Sequence, residues 1–228
     1  MSVVGEMIEI NLTGGTAKGY YAKGKTDDVK PGLIVIQEWW GLNDHIKDVA
    51  NRFAEKGYAV LAPDLYKGKV TKAPTEAGAL MQGLNQDYAL EVLNKSVDYL
   101  QTAPGVNGER IGVTGFCMGG SFALLLPCVN KNIKAAAPFY GDVPSEAKLR
   151  DLEAPVLFIG AENDFWITGE KMEGLREALK KFGKTGEVKI YQGVGHAFFN
   201  DTRPDAYDES SAKDAWERVN HFFAQHLK

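Results

Sequence analysis

The string Gly115-Phe116-Cys117-Met118-Gly119-Gly120 sets a thiol at the centre of a G-x-nucleophile-x-G spacing. That spacing marks a sharp strand-to-helix turn that presents a nucleophile above a sheet, and cysteine here holds the place usually taken by serine. Small neighbours matter because the central residue is strained and the strand and new helix must pack closely around it. The first amides of the helix would point at the sulfur and favour its thiolate. Many buried cysteines do nothing more than pack as small hydrophobes, so the chemistry depends on partners. Asp164 and then His196 follow along the chain, the latter in the flexible turn Gly193-Val194-Gly195-His196. An imidazole there could take the thiol proton and deliver it to a leaving group, while an aspartate fixes its tautomer and stabilises the imidazolium. Asp142, Glu162 and Glu170 are rivals to Asp164 for that carboxylate role. Glu38 is a further carboxylate, placed directly after an apolar strand, where burial would raise its pKa unless something hydrogen-bonds it.

Glu38, Cys117, Asp164 and His196 each follow a segment that reads as a strand. Met7 to Ile10 and Thr16 to Ala22 flank Thr13-Gly14-Gly15 and predict an antiparallel hairpin. Leu33 to Ile36 is a continuous apolar run, as expected of a strand buried on both faces. Tyr58 to Ala62, Arg110 to Thr114, Ala135 to Phe139, Val156 to Gly160 and Val188 to Tyr191 read as further strands. Between them, Ile46, Val49, Ala50, Phe53 and Ala54 recur at helical spacing, with Asp44 available as cap and Gly57 as stop. Leu80, Leu84, Tyr88, Val92, Leu93, Val97 and Leu100 predict one long helix, and two more helical patterns lie near Lys171 to Phe182 and Ser210 to His226. Alternating strands and helices imply an α/β fold with a mostly parallel sheet, an antiparallel N-terminal edge and helices on both faces. In such a sheet ligands collect outside the carboxyl ends of the strands, so Glu38, Cys117, Asp164 and His196 should converge.

The order nucleophile, acid, histidine is that of α/β-hydrolases. The sequence resembles the dienelactone hydrolase family of that superfamily, also called carboxymethylenebutenolidases, over nearly its whole length. The resemblance rests on Gln37-Glu38-Trp39-Trp40-Gly41-Leu42-Asn43, Ala62-Pro63-Asp64-Leu65-Tyr66, the Cys117 string, Phe139-Tyr140-Gly141 and Gly195-His196-Ala197-Phe198. It implies an α/β-hydrolase fold, a Cys117, His196 and Asp164 triad, and a Glu38 that contacts the resting thiol and helps deprotonate it when substrate arrives. It also suggests that Tyr140 lines the site. The fold's oxyanion hole uses the amide after the nucleophile and one from the loop after an earlier strand, which assigns Met118 and Trp39. Trp40 is expected to wall the substrate pocket together with Tyr140 and Phe198. Dienelactone-hydrolysing members hold the substrate carboxylate with arginines. This chain has no arginine from Thr71 to Leu100, and after His196 the family's serine and arginine positions read Ala197 and Asn200. Lys69, Lys72 or Arg203 are the available substitutes, although a lysine lacks the bidentate fork of arginine.

The 228 residues are 44% hydrophobic and 25% charged, with no linker, repeat or low-complexity block, which predicts one domain spanning 1–228. A formal charge of −4 gives no electrostatic footprint for nucleic acid or anionic lipid. No apolar run approaches a membrane span, no leader pattern opens the chain, and two cysteines form no disulfide framework, so a cytoplasmic location is expected. Cys128 reads as a buried helix residue. There is no phosphate-binding loop, H-E-x-x-H or CxxC motif, so neither a metal nor a cofactor is expected. The reading is therefore a cysteine-nucleophile hydrolase of small esters or lactones, a monomer or small homo-oligomer. Its alternatives are a carboxylesterase confined to neutral esters, a non-catalytic small-ligand binding protein and a thiol redox sensor.

Overall fold

Apolar strands and amphipathic helices alternate, and the computed structural model, which describes residues 2–26 and 28–228, assembles the strands into one eight-stranded sheet. The elements run β1 (Val3–Leu12), β2 (Gly15–Gly24), β3 (Lys30–Ile36), α1 (Asp44–Glu55), β4 (Ala59–Pro63), α2 (Pro74–Gln82), α3 (Gln86–Thr102), β5 (Val106–Phe116), α4 (Met118–Val129), β6 (Ile133–Phe139), α5 (Glu146–Leu149), β7 (Val156–Asn163), α6 (Gly169–Lys181), β8 (Gly186–Gly195) and α7 (Glu209–Leu227). Strand order is β1-β2-β4-β3-β5-β6-β7-β8. The β1–β2 hairpin and the β2–β4 pair are antiparallel, and every other pairing is parallel, as the sequence pattern predicts.

Period-two alternation divides the apolar side chains between two cores. In β3, Ile34 and Ile36 join the core beneath α3, α4 and α6, whereas Leu33 and Val35 join the one beneath α1 and α7. Helices thus cover both faces, and the continuous apolar run of β3 is explained by burial on each side.

Two local expectations are corrected. The cap of α1 is Asn43, whose side chain accepts the Ile46 amide at 3.1 Å; Asp44 is instead the first helical residue, where its charge complements the helix N-terminus. The single long helix is two. Gly83 ends α2, and Asn85 opens α3 by accepting the Tyr88 amide at 2.9 Å. Apolar spacing runs through the break because Leu80, Met81 and Leu84 all pack on the same core as Val92 and Leu93. Cys128 lies buried on α4 with a free thiol. No helix among the described residues is long and apolar enough to cross a membrane.

Candidate active site

Cys117 joins β5 to α4 with φ of 56° and ψ of −119°, so the backbone at the turn is strained in the way the glycine-rich string predicts. Its amide donates to the Phe139 carbonyl of β6 at 3.1 Å. A Cβ on Gly115 would collide with the Gly119 carbonyl, and one on Gly119 with the carbonyl oxygens of Ile36 and Gln37. Strand, helix and the end of β3 therefore meet at backbone contact. We expect Gly119→Ala to cost about 3 kcal/mol or more by overpacking against immovable backbone, read by denaturant unfolding. A loss below about 1 kcal/mol would contradict that close approach.

The tight elbow brings two amides to the sulfur. Both Met118, at the start of α4, and Trp39, after β3, donate towards the Cys117 thiol. The Trp39 loop is pinned from outside: Gly41, with φ of 93°, touches the Lys69 carbonyl, and the Thr71 amide donates to the Trp40 carbonyl at 3.0 Å. The thiol is only 7% exposed. Burial and the nearby Glu38 charge push its pKa up to about 12, and the two amides, which pull the other way, do not compensate. The expected thiolate-favouring effect of the helix is present, but it is outweighed in the resting site.

His196 and Asp164 are brought together after β8 and β7. Asp164 Oδ2 lies 2.6 Å from His196 Nδ1. Its Oδ1 accepts the Trp166 and Ile167 amides at 2.8 and 2.9 Å. Burial works to raise this carboxyl, but the His196 hydrogen bond and charge, followed by the two amides, hold it below the ordinary range. The rivals are engaged elsewhere. Asp142 pairs with Lys171 at 2.8 Å, Glu162 accepts the Gly193 amide at 2.7 Å, and Glu170 is exposed in the first turn of α6. The Tyr140 ring sits 5.0 Å from the His196 ring, and the charges of Glu38, Cys117 and Asp164 all act on its hydroxyl. The four strand ends therefore converge around Tyr140.

Glu38 is 1% exposed, and burial pushes it up to about 7 against the Asn200 hydrogen bond and the charges of His196 and Arg203. Its hydrogen bond comes from Asn200 Nδ2 at 2.6 Å, while its proximity to Cys117 is felt as charge repulsion of the thiolate. Trp40 walls a cavity of about 380 Å³ that also holds Asn43, Thr71, Lys72, Asn200 and Arg203. The Arg203 guanidinium stands 5.8 Å from the Trp40 ring centre. Lys69 is exposed on the loop behind Gly41. Phe198 has no exposed surface and packs on Tyr140 and Tyr191. Sequence reasoning did not single out Phe165 and Trp166, whose rings stand 6.0 and 5.7 Å from that of His196. It also missed Tyr66, whose hydroxyl reaches the Met118 sulfur at 3.2 Å. Among the described residues no group of three or more His, Cys, Asp or Glu side chains could hold a metal ion.

This fold has close counterparts. Residues 18–227 match the model of the dienelactone hydrolase family. The chain is 36% identical to "Protein usf" of Aquifex pyrophilus, the alignment covering 98% of this chain and 100% of that one. It is 32% identical to the "Putative carboxymethylenebutenolidase" of Aquifex aeolicus, over 99% of this chain and 100% of its counterpart. The crystal structure of a "Putative Dienelactone Hydrolase" from Klebsiella pneumoniae superposes with a TM-score of 0.92 at 31% identity, covering 99% of this chain and 100% of that one. The chain belongs to the dienelactone hydrolase family of α/β-hydrolases.

Proposed function

We propose that this protein hydrolyses small esters or lactones through a thioester on Cys117, with His196 and Asp164 as its triad partners. The carrying observation is the 2.6 Å contact between His196 Nδ1 and Asp164 Oδ2, a carboxylate whose charge also acts on the Cys117 thiol. That contact orients the imidazole and leaves its other nitrogen free for proton transfer.

In the resting site the thiol keeps its proton. When substrate arrives, Glu38 takes that proton and becomes a neutral acid, and the Cys117 thiolate attacks the carbonyl carbon. The developing oxyanion rests on the Trp39 and Met118 amides. Glu38 passes the proton to His196, which gives it to the departing oxygen, leaving Glu38 as carboxylate and His196 neutral. Water then attacks the thioester with His196 as base; the thiolate leaves and regains the proton held by His196, restoring the starting state. A buried, proton-bearing thiol also argues against the redox-sensor reading, which needs an exposed, low-pKa cysteine.

The test is turnover of a neutral aryl acetate beside an acidic dienelactone, before and after one equivalent of iodoacetamide, with the acyl-thioester on Cys117 sought by mass spectrometry. Alkylation should abolish turnover of whichever ester is accepted. Full activity in protein alkylated at Cys117 would rule the mechanism out.

A second reading concerns substrate charge. Arg203 lies beyond the family's arginine position in the sequence and its guanidinium pairs with Asp205, yet its charge also reaches Glu38 and Cys117, and Lys72 lines the same cavity. A carboxylate-bearing substrate would therefore have to compete with Asp205 for Arg203 or turn to Lys72, whereas a neutral ester needs neither. Arg203→Ala should raise KM for an acidic lactone about 10-fold, the worth of one charge-assisted hydrogen bond. The KM for a neutral ester should stay within about twofold; equal changes for both would remove Arg203 from substrate selection.

A further inference from the structure

The loop after β8 places a second polar pair behind the proposed machinery. Asn200 is 1% exposed, and its Oδ1 accepts both the Thr202 amide at 3.0 Å and the Thr202 hydroxyl at 2.7 Å. A backbone N–H can only donate, so the atom facing it must be the amide oxygen, and Nδ2 is thereby forced to face the other way. It faces Glu38 Oε2 at 2.6 Å. This orientation does not depend on a choice between two equivalent flips; Thr202 dictates it.

We propose that Asn200, locked by Thr202, is a positioning residue that holds Glu38 Oε2 as a permanent acceptor and so reserves Oε1 as the oxygen that gains and loses the proton. The inference rests on the reading of Glu38 as the first proton acceptor. When the proton moves, the Sγ–H bond breaks and an Oε1–H bond forms, turning thiol and carboxylate into thiolate and neutral acid with charge conserved. Protonation on Oε2 would make that oxygen a poorer acceptor across the 2.6 Å contact, so Asn200 favours Oε1 as the oxygen that takes the proton as well as fixing the orientation.

A neutral amide also suits the task energetically. It donates to the carboxylate without supplying a full positive charge, so Glu38 stays near 7 and can exchange a proton at neutral pH. The charged and titratable groups facing Glu38 are Cys117 from the elbow, Tyr140 after β6, and His196 and Arg203 from the loop after β8. On the far side of that loop, Asp201 faces His45 Nδ1 at 3.2 Å and Arg52 at 3.5 Å, both on α1, which anchors the segment carrying Asn200.

The experiment reads Glu38 itself. The carboxyl stretch that appears on protonation is followed by pH-difference infrared spectroscopy, with the Glu38→Gln spectrum identifying the band, alongside the pH profile of kcat/KM. Asn200→Ala should move the infrared midpoint up by about one pH unit, because the lost bond favoured the charged form. Thr202→Val should move it the same way by less, and Thr202→Ser should restore the wild-type value. Thr202→Val keeps the backbone bond and guards against a misfolded Asn200 variant. An unmoved midpoint in both Asn200→Ala and Thr202→Val would overturn the proposal. An infrared midpoint that moves while the kcat/KM profile stays fixed would uphold the positioning by Asn200 and overturn the role of Glu38 in the reaction.

Discussion

Cys117→Ala and His196→Ala should each lower kcat/KM on the accepted ester by about 10³-fold or more, with no shared reduction in folding stability. Alanine keeps the Cβ of cysteine, so the strained φ of 56° gains no new contact and only the sulfur is lost. His196 is carried on a loop rather than in a core, with 13% of its side chain exposed, so its truncation leaves both cores intact. The double variant should fall little further than either single one, because nucleophile and base act as a unit. Asp164→Asn has a specific failure built into its hydrogen bonds. Oδ1 accepts the Trp166 and Ile167 amides, so an asparagine must keep its oxygen there and turn its NH₂ towards His196 Nδ1. Two donors then meet, or the imidazole adopts the wrong tautomer, and turnover should drop about 10²-fold or more. Turnover of Cys117→Ala near the wild-type rate, after excluding contaminating esterase, would refute the covalent mechanism.

What could be read from the sequence had local causes. The elbow was legible because a nucleophile on a sharp turn demands small residues at fixed offsets, and the structure shows Gly115 and Gly119 in backbone contact where any side chain would collide. Strand types were legible because burial on one or two faces leaves a period in the chain. The preference for Asp164 over Asp142 and Glu162 rests on where each falls relative to a strand, and the folded chain adds which neighbour each one meets: His196 for Asp164, Lys171 for Asp142 and the Gly193 amide for Glu162. The division of the predicted long helix was hidden because α2 and α3 bury their apolar faces in one core, so the hydrophobic spacing continues across Gly83. Asn200 drew notice only as a missing arginine. Its partners lie 162 residues upstream and two downstream, a juxtaposition that only the folded sheet creates. The balance at Cys117 is only half legible for a similar reason: the helix amides that favour the thiolate are visible from the string, whereas burial and the opposing charge of Glu38 come from tertiary packing.

Glu38→Gln should make the protein slower and more stable, with the stability gain appearing only as pH rises. Folding raises this carboxyl from its ordinary 4.5 to about 7. The folded state therefore binds a proton more tightly than the unfolded chain does. The contribution of Glu38 is fully favourable below about 4.5 and is lost as pH climbs through about 7. At pH 8 the buried carboxylate costs about 3 kcal/mol relative to an uncharged isostere. Glutamine keeps an oxygen for Asn200 Nδ2 and has no charge to bury. The variant should match the wild type in stability near pH 4 and exceed it at pH 8, by about 6–12 °C in Tm for a chain of this size. All other ionisable groups are common to both proteins, so the pH dependence of the difference isolates Glu38. Turnover should fall about 10²-fold, the usual contribution of a positioned proton acceptor. A pH-independent stability difference, or a variant less stable at pH 8, would show that the carboxyl is not held in the state described. The two effects belong together: a fully buried carboxylate beside a thiol opposes folding at neutral pH, and in the proposed mechanism that same discomfort would make it ready to accept the proton when the thiol gives it up.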